Sequence, residues 1–260
     1  MLRPYLPSEL VSGDAVISAA GATAVLLDVE GTTTPISFVH GVLFPFARAH
    51  VKEFFEVHAA SSEVAEIVDA LQDGHRTDLA QKLNPPRWNT IDDLDAAAAY
   101  VHWLIDRDRK STPLKMLQGE IWRLGYQSGE LKGEVFDDVP EALARWHQGG
   151  RQVAIFSSGS ALAQQLLFAN STAGDLTPFI SVYFDTTLGP KMESDSYRRI
   201  ADAIGVPAPS LVFVSDVTKE LAAARAAGVE AVLSIRPGNQ PQDEAGQYPQ
   251  IRSLLEMTWL

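Results

Sequence analysis

Short apolar runs recur along the chain, each about the length of one strand. They are Ala24 to Leu27, Val153 to Phe156, Leu211 to Val214 and, with one serine inside it, Ala231 to Ile235. Apolar residues that are continuous rather than alternating mark a strand covered on both faces, as in a parallel sheet. Val182-Tyr183-Phe184, ending at Asp185, is a weaker strand. Between the later runs lie helical patterns: Glu141 to His147 before Gly149-Gly150, Ala161 to Ala169, Tyr197 to Ile204 before Gly205, and Lys219 to Ala227 before Gly228. A glycine just past the last periodic residue is a stop signal for a helix. This alternation predicts an α/β fold with a parallel sheet core and helices on both faces.

From about Phe38 to Gly133 the strand signal vanishes. Val39, Val42, Leu43, Phe46, Ala47, Val51 and Phe54 recur at three- and four-residue spacings, the pattern of an amphipathic helix. Val64, Ile67, Val68 and Leu71 predict a second helix stopped by Gly74, and Asn84-Pro85-Pro86 is a break. Ile91 to Ile105 and Leu114 to Leu124 predict two more, the latter ending before Gly125. The pattern thus divides the chain into an α/β core, 1–35 and 134–260, and a helical cap, 36–133, inserted after the first strand. Gln240 to Gln250 reads as a loop and Ile251 to Leu260 as a short tail helix.

Composition narrows the classes. With 260 residues, 46% hydrophobic and 21% charged, the chain is an ordinary globular one, long enough to bury a full core. A formal net charge of −12 argues against a nucleic-acid or anionic-membrane surface, while leaving room for an anionic substrate in a locally positive site. There is no cysteine, hence no disulfide framework, thiol nucleophile or thiolate metal site. Met1 to Leu10 lacks the apolar stretch of a signal peptide, and Ala96 to Ile105 is too short to span a bilayer. A cytoplasmic protein, working as a monomer, is expected. The six histidines show no ligand spacing and most are expected at the surface, with His40 and Phe38 placed to line a substrate entrance. Trp88, Trp103 and Trp122 are expected to pack the insertion.

The chemistry gathers at strand tips. The first run ends in Asp28-Val29-Glu30-Gly31-Thr32-Thr33-Thr34-Pro35, the next in Ser157-Ser158-Gly159-Ser160, and a third in Ser215-Asp216. Open α/β sheets place their sites at the carboxyl ends of strands. Asp28 and Glu30, two apart, point the same way wherever the backbone stays extended. Gly189-Pro190-Lys191 supplies a cation in a turn ahead of a helix. Read singly, each piece has a plainer role: Ser158 or Ser160 as a helix N-cap, Lys191 as a solvated charge, Asp216 as a cap. Read together they make a phosphate site. Asp28 and Asp216 suit a Mg²⁺ completed by waters and substrate oxygens. Ser157, Ser158 and the amides near Gly159 sit at a helix N-terminus that favours an anion. Without the cation and Lys191 the carboxylates would repel a phosphate. Glu220, one helical turn past Asp216, is either a carboxylate orienting metal water or a surface charge.

These elements, in this order, resemble the haloacid-dehalogenase-like phosphatase superfamily. Its members pair a Rossmann-like core with a cap. The stretches at Asp28–Pro35, Ser157–Ser160, Phe184-Asp185-Thr186-Thr187, Lys191–Ser194 with Tyr197, and Ser215–Thr218 are similar to the enolase-phosphatases of methionine salvage. The likeness also takes in Asp108-Arg109-Lys110-Ser111-Thr112 and Leu117-Gln118-Gly119 of the insertion. Most of the superfamily carries Asp at the second acidic position; Glu30 stands there, as in the enolase-phosphatases.

The resemblance implies one Mg²⁺ per subunit, held by Asp28, by Glu30 through its backbone carbonyl, and by Asp216. It implies Asp28 as nucleophile and Ser157, Ser158 and Lys191 as holders of the substrate phosphate. The implied activity is that of an acireductone synthase. A phosphorylated diketone bearing a methylthio group is enolised, then loses phosphate through an aspartyl-phosphate. Glu30 is then a candidate general acid for the leaving oxygen and a candidate base for enolisation. The rival readings are a plain phosphatase of the same superfamily, a phospho-accepting receiver module and a non-catalytic binding protein. Receivers place their lysine after the last acidic strand and have no long insertion, whereas Lys191 precedes Asp216.

Overall fold

The structure is a computed structural model that describes residues 17–18, 21–107, 109 and 111–258. The expectations for Met1 to Leu10, Asp108 and Lys110 lie outside these residues. In chain order the elements are β1 (Ile17–Ser18), β2 (Ala24–Leu27), α1 (Ile36–Phe38), a π turn (Val39–Leu43), α2 (Phe44–His58), α3 (Ser62–Ala80), α4 (Leu94–Ile105), α5 (Thr112–Ser128) and α6 (Val139–Gln148). Then follow β3 (Gln152–Ser157), α7 (Ala161–Ala169), β4 (Val182–Asp185), α8 (Ser194–Ile204), β5 (Leu211–Ser215), α9 (Thr218–Ala226), β6 (Glu230–Ser234), β7 (Gln250–Ile251) and β8 (Met257–Thr258).

Six strands form one sheet in the order β4-β3-β2-β5-β6-β7, every neighbouring pair parallel, and β1 pairs separately with β8. The continuous apolar runs are explained by which way successive side chains face. Val25, Leu27, Val153, Ile155, Val212 and Val214 join one buried cluster, while Ala24, Leu26, Ala154, Phe156, Leu211 and Phe213 join a second on the opposite face. Helices α8 and α9 cover the second face. The first face shares its cluster with α6, α7 and the inserted helices α2 to α5, so the sheet and the insertion rest on one contiguous apolar body. Register sets the site: Leu27 lies level with Ile155 and Val214, so Asp28 emerges one step past them, beside the ends of β3 and β5.

Glycine misleads the sequence reading twice. Helix α3 runs through Gly74 to Ala80, and α5 runs through Gly125 to Ser128, where Gly129 takes the left-handed cap. Both internal glycines are there for close packing. A Cβ on Gly125 would lie 2.6 Å from the Phe46 ring, and one on Gly74 would lie 3.3 Å from the Tyr100 hydroxyl. The tail is not a helix either. Ile251 is claimed by β7 as the edge strand beside β6, and among the described residues a single 3-10 turn, Leu254–Glu256, and β8 follow, with Ser253 and Glu256 forming a capping box. His75 is an exception to the surface expectation for histidines: it is buried, with Nε2 2.7 Å from the Pro86 carbonyl oxygen. The three insertion tryptophans are buried as expected.

The chain returns from the insertion to the sheet through Gly133, whose N–H donates to Asn170 O and whose carbonyl accepts from Thr172 N–H, each at 2.8 Å. A Cβ there would stand 2.2 Å from the Leu167 carbonyl oxygen, a backbone atom that cannot swing aside. Gly133→Ala is therefore expected to destabilise the fold by about 1–3 kcal/mol, the usual cost of overpacking. A lowered urea midpoint at unchanged m-value is the measurement that checks it.

Candidate active site

Two strand ends, the turn before α8 and the first turn of α9 converge on one buried ammonium. Lys191, on the turn before α8, places Nζ 2.7 Å from Asp28 Oδ2 and 2.6 Å from Glu220 Oε2. Its backbone is fixed by Tyr197, whose hydroxyl donates to Lys191 O at 2.7 Å, and the rings of Phe156 and Phe213 each stand 5.9 Å from Nζ. Lys191 is thus no solvated surface charge. Asp28, Lys191, Asp216 and Glu220 are all buried.

Asp28 follows the last residue of β2. Its N–H donates to Val214 O at 3.0 Å, Oδ1 accepts from Val29 N–H at 2.7 Å, and its carbonyl accepts from the Thr33 hydroxyl at 3.1 Å. The Ser215 hydroxyl lies 3.1 Å from Asp28 Oδ2 and 3.0 Å from Glu220 Oε2, donating to one at a time, and accepts from Val217 N–H at 3.1 Å. Glu220, on the first turn of α9, is therefore a member of the cluster rather than a surface charge.

Three carboxylates around one ammonium leave surplus negative charge in a dry place. Burial, then the charges of Asp28 and Glu220, push Asp216 up to about 7. Burial, then Asp28, likewise push Glu220 up to about 7. Burial alone would lower the Lys191 ammonium, but Asp28 and Glu220 together hold it above the ordinary lysine value.

The loop after β2 closes on this cluster. Gly31, at φ +70°, comes so near that a Cβ would lie 2.5 Å from Asp216 Oδ2 and 2.9 Å from Asn239 Oδ1. Asn239 donates Nδ2 to Gly31 O at 2.9 Å and to Ser234 O at 3.2 Å, which leaves its buried Oδ1 without a hydrogen-bond partner among the described residues. Arg236 Nε donates to Thr32 O at 3.2 Å, while its Nη2 lies 2.9 Å from Asp138 Oδ2. Asn239 and Arg236 were missed by the sequence reading. The signal was present, because Arg236-Pro237-Gly238-Asn239 is the turn at the tip of yet another strand.

Asp28 and Glu30 do not share a direction of use. The strand stops at Leu27, so alternation does not carry through to Glu30. Asp28 faces the buried cluster, whereas Glu30, half-exposed, places Oε1 2.7 Å from His40 Nε2. Ser157 ends β3 and accepts from Gly159 N–H at 3.2 Å; Ser160, rather than Ser158, caps α7, accepting from Ala163 N–H at 3.3 Å. Beside them opens a cleft walled by Phe44, Leu114 and Trp122 of the inserted helices, with Lys115 and Gln118 at its polar side and Ser158 to Ser160 as its floor.

A divalent cation suits this donor set. Among the described residues no group of three or more His, Cys, Asp or Glu side chains has the geometry to hold a metal. Asp28 and Asp216 would contribute side chains and a main-chain carbonyl the third ligand. Burial and mutual repulsion raise Asp216 and Glu220, so added positive charge would relieve them, and Asn239 Oδ1 beside Asp216 is without a hydrogen-bond partner among the described residues.

Carboxylates focused on a buried lysine at the tips of a parallel sheet, with a helical insertion that follows β2, define a class: residues 22–228 match the haloacid dehalogenase-like hydrolases, and the chain belongs to that class. Within it, the chain belongs to the enolase-phosphatase E1 family. It is 50% identical over 235 residues to the enolase-phosphatase E1 of Synechococcus elongatus, covering 90% of this chain and 97% of that one. The enolase-phosphatase E1 of Drosophila grimshawi is 47% identical over 221 residues, covering 85% and 89%. Among solved structures, the UTR4 protein of Saccharomyces cerevisiae superposes with a TM-score of 0.72 at 33% identity, covering 89% of this chain and 98% of that one.

The raised carboxylates give a pH signature. Asp216 and Glu220 have ordinary values of 3.8 and 4.5 and lie near 7 when folded, so the metal-free folded chain holds more protons than the unfolded one between those limits. Stability from these groups is full below pH 4 and is lost as pH rises towards 7. Asp216→Asn is expected to flatten this slope, read from urea midpoints of chelator-treated protein across that range.

Proposed function

We propose that the protein is a Mg²⁺-dependent enolase-phosphatase acting on 2,3-diketo-5-methylthiopentyl-1-phosphate in methionine salvage, giving the acireductone. The observation that carries this is the parting of the Asp28-x-Glu30 pair: one carboxylate is buried against Lys191 and the other is held outside the cluster. Two carboxylates in two environments suit two kinds of chemistry. Segment 36–133 acts as the cap.

In this reading the phosphate sits at the strand tips, bound by Ser157, Ser158 and Lys191, and the methylthio tail lies in the cleft against Phe44, Leu114 and Trp122. Glu30 takes a proton from C1, the C–H electrons become the C1–C2 double bond, and the C2 oxygen takes up a proton from solvent to give the enol. Asp28 then attacks phosphorus; its new O–P bond forms as the bond to the C1 oxygen breaks, and Glu30 returns a proton to that oxygen. Water cleaves the aspartyl-phosphate and restores Asp28. Asp28, Asp216 and the Glu30 carbonyl would hold Mg²⁺, which supplies charge neutralisation for the phosphoryl oxygens. Glu220 and Ser215 keep Lys191 and Asp28 aligned. The cap keeps bulk water from the enol until the phosphoryl group has moved to Asp28, and then admits the one water that cleaves the aspartyl-phosphate.

Incubation with Mg²⁺ and the diketone phosphate, following enol absorbance and phosphate together, tests the proposal. A transient enol followed by phosphate is expected, with phosphate release abolished by EDTA and lowered at least about 10³-fold by Asp28→Asn. Phosphate without any enol, together with broad hydrolysis of simple phosphomonoesters, would favour a plain phosphatase. No turnover would favour a binding role.

A further inference from the structure

The contact that takes Glu30 out of the buried cluster comes from the insertion, not from the sheet. His40 Nε2 lies 2.7 Å from Glu30 Oε1. A carboxylate can only accept, so the imidazole carries its hydrogen on Nε2 and donates it. What brings His40 there is an irregularity in the helix. α1 passes into the π turn Val39–Leu43, closed by Phe44 N–H donating to Val39 O, five residues back rather than four. The extra residue re-phases the two helical segments, turning the side chains before it relative to those after it. His40 thereby faces Glu30 while Phe44 lines the cleft, the two rings meeting edge-on at 5.4 Å. Phe44 in turn stacks on Trp122 at 6.2 Å, and Trp122 is pinned by its Nε1–H donating to Leu43 O, the last residue of the same π turn. One short segment therefore fixes the imidazole, the cleft wall and, through the imidazole, the carboxylate.

At half-exposed positions such a pair contributes little to stability. Its effect is geometric. A glutamate with three free side-chain torsions is held in one arrangement, against an imidazole that itself meets the Phe44 ring of the cleft wall. We infer that His40 is a positioning residue for the enolisation half-reaction, holding the Glu30 carboxylate at the cleft wall where it meets the C1 proton of the diketone phosphate. This rests on the enolase-phosphatase reading above. His40 donates throughout and is not itself the base: the proton leaves C1 for Glu30, and the carbonyl oxygen at C2 receives one to complete the enol.

Single-turnover absorbance of the enol with full-length protein and Mg²⁺ tests this. His40→Ala is expected to slow enol formation about tenfold, the range of coupling between contacting groups, with the half-saturating substrate concentration unchanged. His40→Gln, whose amide N–H also donates, should recover the rate to within about twofold. In a Glu30→Asp background, where the shorter carboxylate falls away from the imidazole, His40→Ala should have no further effect. An unchanged enol rate in His40→Ala, or a loss of the same size in the Glu30→Asp background, overturns the positioning role and leaves the enolase-phosphatase reading standing. Wild-type protein that forms no enol overturns both.

Discussion

The ammonium of Lys191 among Asp28, Asp216 and Glu220 is the constraint on which the rest of the site depends. Taking charges out of water is costly, and a buried ion pair is repaid only if its geometry is good and its remaining polar atoms are satisfied. Here the repayment comes from several elements at once: the Tyr197 hydroxyl on the lysine backbone, Ser215 between the two carboxylates, and the amides that follow Asp28 and Ser215. None of these groups can shift without exposing an unpaired charge. The sheet register, the α8 turn and the first turn of α9 are in that sense fixed by one nitrogen atom.

The balance is deliberately uneven. One lysine does not neutralise three carboxylates, and the excess shows as the raised Asp216 and Glu220. A site of this kind is poor at keeping all its carboxylates charged, and further positive charge would relieve it. The loop of Gly31 and the Asn239 turn press against Asp216 from the other side, so its carboxylate is approached there by backbone and a short side chain. The clamp of Arg236 on Thr32 O and Asp138 ties that loop to α6 and to the Ser253 turn, far from the chemistry.

Much of this was legible in the residue order, for physical reasons that also mark where legibility ends. Strands buried on both faces announce themselves as unbroken apolar runs, and a polar residue directly after such a run sits at a tip; that was enough to find Asp28, Ser157 and Asp216. Lys191 was assigned to the site only from its company, and Glu220 stood between two readings, because a turn lysine and a helix glutamate look alike whether buried or not. Gly74 and Gly125 were misread because the same residue that ends a helix also lets a neighbour approach one, and only Tyr100 and Phe46 decide which. The tail was misread because edge pairing with β6 outweighed local helical preference. The Glu30–His40 pair depends on a π turn, and nothing in apolar spacing distinguishes that turn from a regular helix.

Strand β2 lies in the middle of the sheet, yet its partners begin at Gln152 and Leu211. During synthesis the strand that bears Asp28 leaves the ribosome with no neighbour to pair with, and waits while the whole insertion and α6 are made. Its four apolar residues are the kind of segment that sticks to other chains when left unpaired, and non-local pairing of this sort is slow. The helices that follow immediately are built from local contacts and belong to the same apolar body as Val25 and Leu27. They are thus the first apolar surface made after the strand, available to shelter Val25 and Leu27 until β3 and β5 arrive to pair with it.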